Sequence, residues 1–574
     1  MPIPYTGDEF TLHNPDGSEI RVRGWGDQFY AVFETLDGYT VVQDPESGFF
    51  EYAELSEDKE TLVPSGIRVG KEPSREMALP QHIRIARDAA RSQARAAEDA
   101  TGVEPRWKER RRRRKELQAG PEAAGDDEEE GPLAQTVGSY VGLCLLIQFP
   151  DVSGTISQQE ITNYCNQVGY ANYSNNGSVR DYFHAVSDGK LTYTNVVTAY
   201  YTAQHNRSYY TDPSVSYGTR ARALIIEGLN HLKSSGSNFG QLTADSGGYV
   251  RALNVFYAGA SVNNWSQGLW PHSWALASPF VATTTRRFSD YQITNIGSAL
   301  SLRTFCHENG HMICDFPDLY DYGYESSGVG HFCLMCSGGS NVNPTQVCAY
   351  LKDYAGWTSK LTALGPGMSV NVAAGTNDFL VHKKSQTEYF IMENRAKTGR
   401  DTALPDAGLA IWHVDTNGSN NNEQMTAAQH YECSLEQADG RFDLEHKTNQ
   451  GDSEDLFGAP DERAFGAATA PNSRWWDGTD SGLEITDISA PGATMAVKTG
   501  SHWQNDRVLI RTHAKSGTKS AWAYFSGDSG WTRVATPSAD GTTNIFMILC
   551  DALANGRKVD VLLKDGQIVE ATIK

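Results

Sequence analysis

Cysteine is missing from the first 143 residues of this 574-residue chain; all nine cysteines fall at or after Cys144. The N-terminal quarter therefore has no disulfide of its own and no thiolate to offer a metal. Positive charge is also scarce, with 49 Lys and Arg against 70 Asp and Glu and a formal net charge of -21. That balance argues against nucleic acid as a partner, because phosphate binding needs clustered positive charge. No apolar run is long enough to span a bilayer. The first residues, MPIPYTGDEF, lack the charged start and apolar core of a secretory signal, so export would need a signal outside this sequence or another route. No internal repeat of useful period is visible.

What is present implies several units, since 574 residues exceed what one core holds. Residues 1–80 carry short alternating runs with Gly and Asp at turns, which predict a small β-rich unit. Residues 81–135 hold an Ala/Arg-rich helical stretch (His82 to Ala100), then a basic run, Arg110 to Lys115, and an acidic run, Asp126 to Glu130. Opposed charge blocks with few apolar residues read as a disordered, protease-accessible linker. Residues 136–360 begin with the continuous apolar strand SYVGLCLLIQF, followed by helical EITNYCNQV and GTRARALIIEGLNHL, the strand LNVFYAGA and a helix over Leu300 to Cys314. Residues 361–500 alternate strands with glycine turns, and 501–574 have the same β texture, ending in KVDVLLKDGQIVEATI, whose Asp-Gly splits two strands. The fold class expected is α+β.

The chemistry concentrates in His307-Glu308-Asn309-Gly310-His311. Histidines four apart on a helix share one face, so both imidazoles can reach one metal ion. Glu308 beside them can take a proton from water in the same cleft. Phe316-Pro317 must end the helix, because proline disfavours helical geometry in the residue before it. Asp318 follows that break and is the preferred third ligand; Asp315 is second and Glu393 third. The competing reading of Asp318 is a carboxylate accepting backbone N–H groups in a tight turn. Further on, Cys333-Leu334-Met335-Cys336-Ser337-Gly338-Gly339 looks like the methionine-containing turn that lies beneath the metal in metzincin-type proteases, where Met335 would supply a soft apolar floor for the histidines. Two histidines, a carboxylate and an open position suit catalytic zinc.

With HENGH, FPDLYD, LMCSGG and YLKDYAGW (Tyr350 to Trp357), and with QFPDV, GSVRDYF, GLAIWHVD and GDQFYAVFETLDGYTVV, the chain resembles the immune inhibitor A-type zinc metalloproteases, secreted or surface-exposed bacterial endopeptidases. The resemblance covers most of residues 1–500. It implies a metzincin-like catalytic domain, a mixed sheet plus active-site helix, flanked by an N-terminal pro-like unit and C-terminal β-rich domains. It also implies an extracellular or cell-surface site of action and protein or peptide substrates, with a monomer favoured. The long metzincin pattern puts a glycine and the third ligand at what are here Cys314 and Pro317, and proline cannot bind zinc. Two other functions stay open: an inactive protease-like binding protein, and a metal-dependent hydrolase of a non-peptide substrate.

Other residues carry weaker expectations. Asp415, Asp439, Asp452 and Asp455, with Asp443, lie in Gly- and Asn-rich loops that suit calcium, although solvated acidic loops are the simpler reading. One of Tyr320, Tyr322 and Tyr324 could donate to a developing oxyanion. A disulfide from Cys314 to Cys333 or Cys336 competes with buried free thiols. Residues 1–135 are expected either to restrain the active site until cut or to be a permanent structural partner.

Overall fold

The computed structural model describes residues 4–70, 79–119, 135–323, 325–420, 425–459, 463–501, 503–515, 520–528, 530–535, 539–564 and 567–574; the acidic run Asp126 to Glu130 and Tyr324 lie outside them. The chain is mixed α+β, with several sheets. Six strands, β1 (Tyr5–His13), β2 (Glu19–Gly26), β3 (Ala31–Thr35), β4 (Thr40–Gln43), β5 (Phe50–Leu55) and β6 (Leu62–Arg68), form an antiparallel meander in chain order. Its alternation is clearest in β2, where Ile20 and Val22 turn inward while Glu19, Arg21 and Arg23 stay in water. Tyr5, Phe33, Val41 and Tyr52 fill the core beneath. Helix α1 (Arg87–Asp99) lays Ala90 and Ala94 against Tyr30, Val32 and Ile85.

The basic run is ordered, contrary to the linker expectation. It forms helix α2 (Arg106–Ala119), which packs against the helix Leu302–Cys314 and the strand Arg287–Ile296 of the central unit. The N–H groups of Arg106 and Trp107 donate to Asp290 at 2.7 and 3.1 Å, so a carboxylate from another element satisfies the first turn. Farther along, Arg110 pairs with Asp315 at 2.6 Å and Lys115 with Glu432 at 2.9 Å. These distant carboxylates explain why local charge density misled: Arg112 and Arg113 pair with nearby Glu116 and Glu109, but Arg110, Arg111 and Lys115 find their carboxylates across space.

The central sheet runs β11-β12-β10-β7-β8, from β7 (Gly138–Gln148), β8 (Leu191–Val197), β10 (Leu253–Ala258), β11 (His272–Val281) and β12 (Arg287–Ile296), with the short β9 (Tyr201–Thr202) also paired to β7. All these pairings are parallel except that of edge strand β11, which runs antiparallel to β12. The apolar run of β7 is buried on both faces. Cys144 and Leu146 meet α3 (Gln158–Asn166), α4 (Val179–Val186) and α7 (Leu302–Cys314), whereas Leu143, Leu145 and Ile147 meet α6 (Thr219–Ser234), which follows the short α5 (Arg207–Tyr210).

Beyond α8 (Ala349–Tyr354), β13 (Lys360–Ala363), β15 (Asp378–Lys383), β16 (Glu388–Arg395), β17 (Gly408–Asp415) and β18 (Cys433–Leu435) form one sheet. A smaller one joins β14 (Ser369–Ala373), β20 (Thr494–Thr499) and β19 (Ile485–Ile488). The last unit closes β21 (Trp503–Lys515), β22 (Ser520–Phe525), β23 (Thr532–Val534), β25 (Gln567–Ile573) and β24 (Lys558–Lys564) into a barrel. Its sequence texture predicts strands alone, but α9 (Ala539–Ala554) packs Ile545, Leu549 and Ala552, spaced four and three apart, into the barrel core.

All nine cysteines are free thiols, eight of them buried, so of the two readings of Cys314 the structure has the buried free thiol and not the bridge to Cys333 or Cys336. Among the described residues, no helix is long and apolar enough to cross a membrane.

Candidate metal centre

Helix α7 is buried over nearly its whole length, including His307, Glu308 and Asn309 at zero exposure. Asn309 explains how a polar helix tolerates this. Its carboxamide accepts from Tyr193 at 2.5 Å and donates to Asn254 at 2.9 Å, locking the helix to β8 and β10. Gly310 serves the other face: a Cβ there would stand 2.9 Å from the Met335 sulfur, so Met335 packs directly under the helix. Asp315, in the left-handed region at φ 58°, ends the helix while its N–H donates to His311 O and that of Phe316 to Gly310 O. The chain then turns back, clipped by a bond from Leu319 N–H to Met335 O at 2.8 Å.

This turn brings Asp318 to the histidines. Its Oδ1 lies 3.0 Å from His307 Nε2 and 3.2 Å from His311 Nε2, and the two imidazole nitrogens are 3.2 Å apart. His307 Nδ1 donates to Leu334 O at 3.0 Å and His311 Nδ1 to Phe316 O at 2.6 Å. Carbonyls only accept, so the protons sit on Nδ1 and both Nε2 lone pairs face one point. Three acceptors this close repel one another unless a cation lies among them. Ligands about 2.0–2.1 Å from a tetrahedral zinc would stand about 3.3 Å apart, so the donor set and its spacing fit that ion.

Burial alone would raise Asp318, but positive charge at His311 and His307 would hold it well below the usual carboxylate range, the part a bound cation takes when both imidazoles are neutral. Tyr322 donates to its second oxygen at 2.7 Å, orienting it. Tyr320 instead donates to Asp27 at 3.1 Å. Glu308 points both carboxylate oxygens into the buried site without a hydrogen-bond partner. Burial pushes it up to about 7, with His307 pulling down and Asp318 pushing up.

The alternative ligands are elsewhere. Asp315 turns to Arg110 and, at 3.7 Å, to Arg251. Glu393 is held by Arg395 at 3.2 Å, Lys352 at 3.6 Å and the Ala349 N–H.

Two residues with no sequence signal complete the site. Trp107 of α2 stacks on His311 with ring centroids 4.5 Å apart. Gln28, between β2 and β3, bonds the main chain of Ser273 on edge strand β11, donating to its carbonyl at 3.0 Å and accepting from its N–H at 2.9 Å. Between them and Glu308, His311 and Asp318 remains a cavity of about 40 Å³, room enough for water. A Trp in a run of arginines and a Gln before a hairpin look unremarkable in sequence.

The calcium candidates do not act as one group. Asp439 and Asp452 converge with Glu454, but the Arg441 guanidinium sits among them, 2.5 Å from Asp439, 2.7 Å from Glu454 and 3.4 Å from Asp443. Asp455 faces inward, accepting from the Asp452 N–H at 2.6 Å, and burial raises it to about 7. Asp415 is apart from them, accepting from His430 at 2.8 Å. No protein-family model matches the chain, and no curated protein matches it.

Proposed function

We propose that the chain is a zinc-dependent endopeptidase of the immune inhibitor A type, acting outside the cell or at its surface, with a metzincin-like core and with α2 closing its cleft. The observation that carries this reading is the convergence of two buried Nε2 lone pairs and one Asp318 oxygen beside a buried, unpartnered carboxylate. Zinc bound there would supply a Lewis acid that polarises a peptide carbonyl and acidifies water. Glu308 takes the proton from the attacking water and delivers it to the leaving nitrogen; its raised proton affinity suits both steps. Leu334 and Phe316 carbonyls keep the imidazoles aimed, and Tyr322 keeps Asp318 in place.

A peptide substrate is favoured over a non-peptide one by Gln28. Its carboxamide makes with Ser273 the two hydrogen bonds that an extended chain laid along edge strand β11 would make. With Trp107 over His311, this accounts for residues 1–135 as an occluding segment, by plain coverage of the cleft and not by a metal-binding group. Purified protein should hydrolyse denatured casein once α2 is unseated by Trp107→Ala, lose the activity to a chelator and regain it with zinc. No hydrolysis in the zinc-loaded variant would overturn the reading in favour of a protease-like binding protein.

A further inference from the structure

Helix α2 does more than cover His311. One turn beyond Trp107, Arg111 enters a pocket and is 6 % exposed. Its Nη2 pairs with Glu432 and donates to Tyr350 at 3.0 Å, and its guanidinium lies 5.0 Å from the Tyr354 ring centre. Tyr350 in turn donates to Glu432 at 2.5 Å. The carboxylate is fixed relative to the metal loop: the Asn420 side chain accepts from the Glu432 N–H and donates to Leu319 O, both at 3.1 Å, beside Asp318. Glu432 and Asp318 line one cavity with Trp107, Arg111 and Tyr322. Arg111 is an imperfect occupant, its Nη1 being buried without a partner.

A buried carboxylate, a phenol and an aromatic face are what a guanidinium or ammonium group selects. We propose that the Glu432 pocket is a substrate subsite for an arginine or lysine side chain, filled in the closed form by Arg111 together with Lys115, whose Nζ lies 2.9 Å from Glu432. This rests on the endopeptidase reading. Residues four apart on a helix are separated by about 5–6 Å, and an extended chain covers about 3.3 Å per residue. The basic side chain therefore belongs about two residues from the cleaved bond.

Two measurements test it. In the full chain with Arg111→Ala on a Lys115→Ala background, which frees Glu432 of both its cations, N-ethylguanidinium at millimolar concentration should raise the thermal midpoint, uncharged N-ethylurea should not, and adding Glu432→Gln should abolish the response. Equal responses to the two compounds would overturn the proposal. Should Arg111→Ala fail to fold, the Trp107→Ala chain gives the second reading. Peptides differing only by Arg or norleucine at one position should differ about 100-fold in kcat/KM, as expected where a buried polar group is left unpaired, and Glu432→Gln should bring the ratio near unity. Hydrolysis without basic preference overturns the subsite. No hydrolysis of any peptide overturns the endopeptidase reading and the subsite with it, leaving the guanidinium response to report a cation pocket alone.

Discussion

Among the described residues, two groups of side chains could hold a metal ion, and they are built in opposite ways. His307, His311 and Asp318 come from one buried helix and the turn that ends it; Asp439, Asp452 and Glu454 come from surface loops. In the first group every ligand is positioned by a second partner, Leu334, Phe316 or Tyr322, and among the described residues no Lys or Arg pairs with Asp318. In the second, Arg441 already balances the carboxylates. Preorganisation separates them: the first set repels itself without a cation, whereas the second has a cation of its own.

Breaking that contrast is a matter of removing ligands. His307→Ala should lose the bound zinc and all measurable peptidase activity, read by metal analysis and turnover. Asp318→Ala should weaken zinc far more than Asp315→Ala, because Asp315 serves Arg110. Full zinc occupancy in His307→Ala would remove the contrast altogether. Glu308→Gln should keep the metal while turnover falls about 100-fold or more, in the range of general-base loss; near-normal hydrolysis would give the base to another group. Trp107→Ala sharpens the comparison by asking whether the buried site is held shut. Losing a Trp contact of this kind should raise activity about tenfold or more, and unchanged turnover would make α2 a structural partner only. The smallest effect belongs to the acidic loops. With Arg441 in place, saturating calcium should move the thermal midpoint by no more than about 2–4 °C, equivalent to about 1 kcal/mol. A larger rise would show that calcium displaces the guanidinium.

The helix-spaced motif, the proline break and the return of Asp318 were legible because each depends on residues close in sequence. So were the apolar strand β7 and the alternation of β2. The linker reading failed at Arg110 to Lys115, because Arg110 and Lys115 have partners some two to three hundred residues away at Asp315 and Glu432. The helix in the C-terminal barrel was missed because surrounding strand texture outweighed the spacing of Ile545, Leu549 and Ala552.

By itself, then, the sequence determined which side chains could meet a metal, through helical period and a turn that proline forces. Only the tertiary structure decided what covers them. Trp107 over His311, Gln28 on Ser273 and Arg111 against Glu432 join elements far apart in the chain. Such contacts are set by how the units dock and by which buried charges must find partners, and neither leaves a local pattern to read.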